Sequence, residues 1–328
     1  MVLTIDFKAP KISFIVTCYN KESFIKDCLL SIKEQSYQNK EIVVVDDNSS
    51  DESLSVIQSF ADESADIPVK IIKNTKNIGQ LASFIEGIKV SEGEFVTITD
   101  GDDVLFKEFA SAHINTHLHT VAAMTSARQI EIDENNVIHS FSSVDCPFIK
   151  LGDFSENIKF NPTMFSSDFE NKDFNTTFLD NKKYTFATWH WSPSTSAVIR
   201  KSVCDFLLNL NNPSEIKITA DKFVFSFAHL IGSSVLIDAP LYAYRRHNSN
   251  YSLANKVMGN KKYLKKGTQK NYIRNNILIR KVMWNFITSN KNLFEEKFNH
   301  SGYIQILNKI IFSFDFSTLK SALKSLWV

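Results

Sequence analysis

Residues 94–103 read EFVTITDGDD, an apolar β-branched run that ends in three carboxylates within four positions. A run of that length bounded by polar residues reads as a buried strand, here Phe95–Thr99. Upstream the same event occurs twice more. Ile12–Thr17 is an apolar run that gives way to Cys18, Tyr19 and Asn20, and Glu41–Val45 gives way to DDNSSD at 46–51. Val69–Ile72 supplies one further strand. Between the strands the period becomes helical. Phe24, Ile25, Cys28, Leu29 and Ile32 share one helical face, Leu54, Ile57, Phe60 and Ala61 a second, and Leu81, Phe84, Ile85 and Ile88 a third. Asn20 offers an N-cap to the first helix, Ser49 with Glu52 reads as a capping box for the second, and Gly93 stands just past the third. Strands alternating with helices at this spacing predict an α/β chain with a parallel, doubly wound sheet.

In such sheets ligands sit beyond the carboxyl ends of the strands. Three strand ends here are polar: Thr17 and Asn20, Asp46 and Asp47, and Asp100 to Asp103. Three carboxylates in four residues repel one another unless a cation joins them. Hard oxygen donors suit Mg²⁺ or Mn²⁺, and Mg²⁺ usually sits between one or two carboxylates and a substrate's phosphates. An acidic turn uses the same residue types; the position after the fourth strand is what favours the metal. Asp46 and Asp47 can accept hydrogen bonds from a base N–H or ribose hydroxyls. Because Ser49 or Ser50 can cap the next helix, both aspartates are expected to be free for a ligand.

The chain of 328 residues is 43% hydrophobic and 22% charged, which fits a folded protein and excludes disordered, collagen-like and coiled-coil classes. No apolar run approaches the ~18–20 residues that span a bilayer, and Asp6 interrupts the N-terminal segment where a signal peptide needs an apolar core. Cys18, Cys28, Cys146 and Cys204 are too few and too irregularly spaced for a disulfide framework or a zinc site, so a cytoplasmic location is expected. Beyond residue 104 the pattern is less regular. Arg128–Phe141 reads as a hairpin turning at Asn135-Asn136, Asp145–Lys183 as a long functional loop region, Ser194–Ile199 and Leu241–Arg245 as strands, and Ala220–Leu230 as a helix.

Read together, these segments resemble a family 2 glycosyltransferase of the GT-A fold. The strand ending TCYN at 17–20, the strand ending VDDNSSD at 45–51, Asn77-Ile78-Gly79, and Gly93-Glu94-Phe95 leading to DGDD at 100–103 follow one another in the family's order. The match is strong over 10–105 and looser over 185–255. It implies a Rossmann-like nucleotide half within a mainly parallel sheet, with residues 1–105 binding the nucleotide sugar and 106–250 the acceptor; residues 251–328, basic and helical in pattern to the end, read as a C-terminal extension. It also implies inverting transfer from a nucleotide-sugar donor, a UDP-sugar for preference, to a saccharide or lipid-linked acceptor, with Mn²⁺ or Mg²⁺ as cofactor and no nucleic acid partner. By position, Thr17 and Asp47 contact the base, and Tyr19, Asn20, Asp46, Asn77, Gly79 and Asp100 lie around the nucleotide. Asp102 is the main metal-facing carboxylate with Asp103 beside it. Asp221, opening a helix, is the candidate general base, although Ala220 stands where the family often has Glu and the helix dipole alone would favour an acidic residue there. Arg245 fits the charge of a departing diphosphate and His247 can ligate the metal. Trp189, His190 and Trp191 fall where acceptors bind, or else fill the core. Cys18 departs from the family's usual proline or small residue, and a small side chain still fits.

Two rival enzymes lack their signals: the turn after Thr17 has no glycine for a pyrophosphorylase loop or a dinucleotide fingerprint. A non-catalytic nucleotide-sugar-binding protein stays open because of Ala220. Residues 251–328 carry 14 Lys or Arg against 3 Asp or Glu, a net +11, beside a body of net −10. Ile304, Leu307, Ile310, Ile311 and Phe314 form one apolar stripe there, and Leu319, Ala322, Leu323, Leu326 and Trp327 another. Such stripes predict either peripheral contact with an anionic membrane at the inner face of the cell membrane or a helical cap folded onto the acidic body.

Overall fold

The computed structural model describes residues 9–141, 159–163, 174–183, 189–247, 250 and 266–312. Cys146, most of the expected loop region at 145–183, Phe314 and the stripe from Leu319 to Trp327 lie outside the described residues.

Strands β1 (Ile12–Cys18), β2 (Lys40–Asp46), β3 (Val69–Lys73) and β4 (Phe95–Asp100) pair in parallel in the order β3-β2-β1-β4, joined by α1 (Ile25–Lys33), α2 (Ser53–Asp62) and α3 (Gln80–Val90). Register sets their ends level: Thr17 lies beside Asp100 on one side and Val45 on the other, and Cys18 beside Asp46. The sheet continues through β9 (Ala197–Arg200), antiparallel to β4 and to β6 (Met124–Asp133), and then β10 (Ser234–Arg246), which runs parallel to β6. Short β5 (Val104–Leu105) and β8 (Thr176–Leu179) pair antiparallel with β10, and β7 (Ile138–Phe141) with β6. One sheet thus runs across position 105, and Leu105 pairs with Tyr242 of β10.

Both faces of the sheet are covered, which is why the central strands read as unbroken apolar runs. On one face Phe14, Val16, Ile42 and Val44 meet Ile25, Leu29 and Ile57, together with Phe109 of α4 (Phe109–Leu118). On the other, Ile15, Val43, Val45, Val96 and Ile98 meet Leu81 and Phe84, together with Phe223 and Phe227 of α5 (Ala220–Gly232). Each such side chain, fully buried, contributes about 1.5–3 kcal/mol.

The second layer extends into the basic segment. Helices α6 (Lys266–Ser289) and α7 (Lys291–Phe312, broken at Asn299) bury Met283, Phe286, Phe294, Ile306 and Ile310 in the same core. Phe227 stacks edge-on against Phe286 at 5.5 Å, and Phe286 against Phe294 at 5.7 Å. The upstream stripe therefore folds back in part onto the body: Ile310 is buried, whereas Ile304 and Ile311 stay exposed. Among the described residues no helix is long and apolar enough to cross a membrane.

Several local expectations are corrected. Neither Asn20 nor Ser49 caps a helix. Asn20 Oδ1 accepts from Ser50 N at 2.8 Å, and Ser49 Oγ accepts from Asn20 N at 3.0 Å, so each ties the β1 loop to the β2 loop. The turn into α2 is held instead by Asp51, whose Oδ1 accepts from Ser53 N and Oγ. Ser194–Ser196 is a single 3-10 turn before β9, and β10 begins at Ser234 rather than Leu241.

Candidate active site

A cleft of about 580 Å³ opens over the level strand ends. Thr17, Tyr19, Asp47, Asn77, Gly79, Asp100 and Asp102 line it, together with Asp221 from the first turn of α5. Asn20, Asp46, Asp103 and Arg245 do not line it, nor do His247, Trp189, His190 and Trp191.

Asp47 is not free, contrary to expectation. Its Oδ1 accepts from Asn74 Nδ2 at 2.8 Å and Ile78 N at 2.9 Å, and its Oδ2 from Gly79 N at 2.8 Å. The carboxylate fixes the Asn77–Gly79 loop at the cleft wall. Asp46 is fully buried, with Oδ2 accepting from Ser49 N at 3.2 Å, so it braces the loop beneath. Gly79 has φ +89°, and a Cβ there would stand 2.7 Å from Lys217 Cα. Only glycine lets the two segments meet this closely.

Asp100, Asp102 and Asp103 bring carboxylate oxygens within 4.8 Å of one another. Their surroundings give them different tasks. Burial opposes the charge on Asp102, but His247 Nε2 at 2.8 Å and Lys21 Nζ at 2.5 Å outweigh it and hold the group down at about 2. Asp100 is pushed up to about 7 by burial and by the charges of Asp102 and Asp221. Asp103 is raised well above the ordinary range by burial and its two neighbours. Both of its oxygens are occupied, by Thr195 Oγ1 at 2.5 Å and Arg245 N at 3.0 Å. Asp103 therefore positions the turn rather than facing a ligand. Asp102, His247 and Asp100 are the group that could hold a divalent cation: a carboxylate oxygen and an imidazole nitrogen converge, with a second carboxylate beside them.

Asp221 is raised by burial, and its Oδ1 accepts from Lys222 N at 2.8 Å. The turn before it places Thr219 at φ 61° and ψ 39°, a left-handed conformation that costs a β-branched residue about 1–3 kcal/mol.

Arg245 is turned inward and fully buried, and each nitrogen of its guanidinium has a partner. Nε donates to Asp102 O at 2.8 Å, Nη1 to Asn136 Oδ1 at 2.5 Å and Nη2 to Asp27 Oδ2 at 3.3 Å, and the head lies over Phe24 at 5.1 Å. It locks the turn after β4 instead of reaching a phosphate. Trp191 is likewise a core residue, with Nε1 donating to Ser234 Oγ at 3.0 Å and its ring against His229. Trp189 and His190 keep exposed surface.

Lys21, Gln80 and Thr195 do not stand out in the sequence. Gln80 Nε2 donates to Asp100 Oδ1 at 2.6 Å while its Oε1 accepts from Ala220 N at 3.2 Å, so one side chain joins Asp100 to the start of α5. Thr195 links Asp100 N and Asp103 in the same way. Only Lys21 carries a local signal, being next to the TCYN strand end.

The sequence pattern of the family described as Glycosyl transferase family 2 matches residues 13–191, more than half of the chain. The chain belongs to glycosyl transferase family 2. It carries that family's transferase domain. Among curated proteins it is 32% identical over 181 residues to a GalNAc(5)-diNAcBac-PP-undecaprenol beta-1,3-glucosyltransferase of Campylobacter jejuni, covering 53% of this chain and 57% of that one. It is 33% identical over 116 residues to an uncharacterized glycosyltransferase of Haemophilus influenzae, covering 35% and 46%. The chain thus spans about half the length of these relatives. Among solved structures, S. aureus TarS 1–349 aligns with a TM-score of 0.50 at 17% identity, covering 96% of this chain and 92% of that one. That likeness is one of fold, the GT-A arrangement of a glycosyltransferase.

Proposed function

We propose that this chain transfers a sugar from a UDP-sugar to a hydroxyl of a saccharide or lipid-linked acceptor, with inversion, in the assembly of a bacterial-type surface polysaccharide. The observation that carries the reading is the position of Asp221, which shares one cleft with Asp100 and Asp102 and whose carboxyl is pushed up from its ordinary value by burial. Raising a carboxylate's pKa makes it a better proton acceptor. Asp221 takes the proton of the acceptor hydroxyl as that oxygen attacks the anomeric carbon from the side opposite the leaving diphosphate. Thr17 and Tyr19 hold the base, and the Asn77–Gly79 loop, set by Asp47, closes over the nucleoside. Asp102 and His247 would hold a Mn²⁺ or Mg²⁺ ion, which when bound supplies positive charge for the departing diphosphate. The acceptor class is supported by the undecaprenol-linked substrate in the name of the Campylobacter relative.

The test is Asp221→Asn. UDP affinity, read by calorimetry in Mn²⁺, is expected to stay within about threefold of wild type. Turnover should fall ~10²–10⁴-fold, the usual cost of losing a general base. Near-normal turnover places the base elsewhere and revives the helix-dipole account of this residue. Donor binding with no transfer or donor hydrolysis by the wild-type chain favours the non-catalytic alternative.

A further inference from the structure

Lys21 is the charged cleft residue whose bonds the mechanism above leaves unexplained. Its Nζ lies 2.5 Å from Asp102 Oδ2 and 3.3 Å from His247 Nε2, and those two atoms are 2.8 Å apart. They are also the atoms that would ligate a divalent ion. The ring nitrogen has a single lone pair, and an ammonium and a small dication held on the same carboxylate oxygen repel each other, so the two cations compete.

We propose that Lys21 and the divalent ion exchange at Asp102 and His247, the displaced ammonium turning into the cleft to bind the diphosphate of the donor. The inference rests on the metal reading given above. The backbone of Lys21 is anchored, with its N–H donating to Ser53 Oγ at 2.7 Å and its carbonyl accepting from Phe24 N and Ile25 N, each at 2.9 Å. Only the four-carbon stem needs to move, and it already lines the cleft. The arginines that end β10 cannot take this part: Arg245 is committed to Asp102 O, Asn136 and Asp27, and Arg246 to Glu131. Among the described residues the cleft is lined by Asp47, Asp100, Asp102 and Asp221 against Lys21 and Lys217, a surplus of carboxylates that repels a diphosphate. Exchange resolves this twice over. The dication neutralises the carboxylates that Lys21 serves, and the freed ammonium becomes a point-charge donor to phosphate oxygens.

The experiment titrates Mn²⁺ alone into wild type, Lys21→Gln and Asp102→Asn, following free Mn²⁺ by electron paramagnetic resonance, and then titrates UDP at saturating Mn²⁺. Lys21→Gln should tighten Mn²⁺ roughly tenfold, since the competing charged hydrogen bond is gone, and weaken UDP roughly tenfold. Opposite signs are the signature. A merely structural lysine weakens both, and a lysine that only binds phosphate leaves Mn²⁺ unchanged; either result overturns the exchange. Lys21→Arg, which retains the charge, should not tighten Mn²⁺, and Lys21→Met replaces Lys21→Gln if thermal melts show that variant misfolded. Mn²⁺ binding lost in Asp102→Asn with no gain in Lys21→Gln removes the exchange alone. Mn²⁺ binding unaffected by Asp102→Asn removes the metal reading and the exchange with it.

Discussion

Gly79 is where two loops of the cleft meet with no room to spare. Its φ of +89° strains any L side chain, and a Cβ would also stand 3.2 Å from Lys217 O, a backbone atom that cannot rotate aside. Gly79→Ala should therefore cost about 1–3 kcal/mol, read as a lower urea midpoint with unchanged slope. Because the neighbouring Gln80 joins Asp100 to Ala220, the same variant should lose kcat/KM beyond its loss of stability. A variant as stable and active as wild type would show that the segments part at no cost. Gly79 was legible because its Asn-Ile-Gly setting belongs to a recurring motif. Arg245 and Trp191 were not, since residue type and spacing say only that a cation follows a strand and an indole precedes one. Their inward turn depends on Asn136, Asp27 and Ser234, between 43 and 218 positions away in the chain. Asn20 and Ser49 misled for the same reason: each looks like a cap, and each spends its bond 29 or 30 residues away.

Helix α4 carries a second kind of information, the pH response of the fold. His113 and His117 face the sheet with no access to water, where His113 Nδ1 meets Thr125 Oγ1 at 2.7 Å and His117 Nε2 meets Val198 O at 3.0 Å. Burial lowers both, His117 to about 3 and His113 well below its usual value, and it lowers His229 of α5 to about 4. In an unfolded chain the same groups titrate near ~6.5. Between those values the unfolded chain binds protons that the fold refuses, so each histidine removes about 1.4 kcal/mol of stability per unit as pH falls. Asp100, Asp103 and Asp221 tilt the other way, for the fold keeps protons that the unfolded chain releases. Wild-type stability thus sums opposed slopes, and the variant difference is the clean quantity. His113→Asn should make the acid limb of the stability curve shallower below pH 6, whatever its effect at neutral pH. Parallel curves for the two proteins would mean that His113 takes up its proton without unfolding. The element itself was not anticipated, because α4 mixes histidines and small residues and shows little apolar period, whereas the strand-helix ladder of residues 12–103 repeats it cleanly.

At the scale of the whole molecule the charge is divided, with a net +11 over residues 251–328 beside a body of net −10. In the described part of that segment the apolar side chains divide between the core and the surface. Met283, Phe286, Phe294 and Ile310 are in the core, while Ile277, Ile304 and Ile311 stay exposed, so only part of the apolar surface of α6 and α7 is left for contact with a membrane. Part of the charge remains outside, where Arg274, Lys281, Lys291 and Lys297 are exposed, while Arg280 is buried. We propose that any membrane contact made by these helices is electrostatic. Each Lys or Arg close to an anionic surface contributes about 1 kcal/mol, and the attraction fades over a Debye length of about 10 Å at 0.1 M salt. The protein should then co-sediment with vesicles containing anionic lipid at low salt and return to the supernatant at 0.5 M, roughly where screening reaches a few ångströms. Reversing Arg274, Lys281 and Lys297 to Glu should abolish sedimentation while leaving the thermal midpoint within a few degrees, because these side chains stand outside the core. Sedimentation that survives high salt, or occurs equally with neutral lipid, would point instead to apolar contact. A protein that stays in the supernatant at low salt would reduce the basic segment to a structural cap, its charge facing only water.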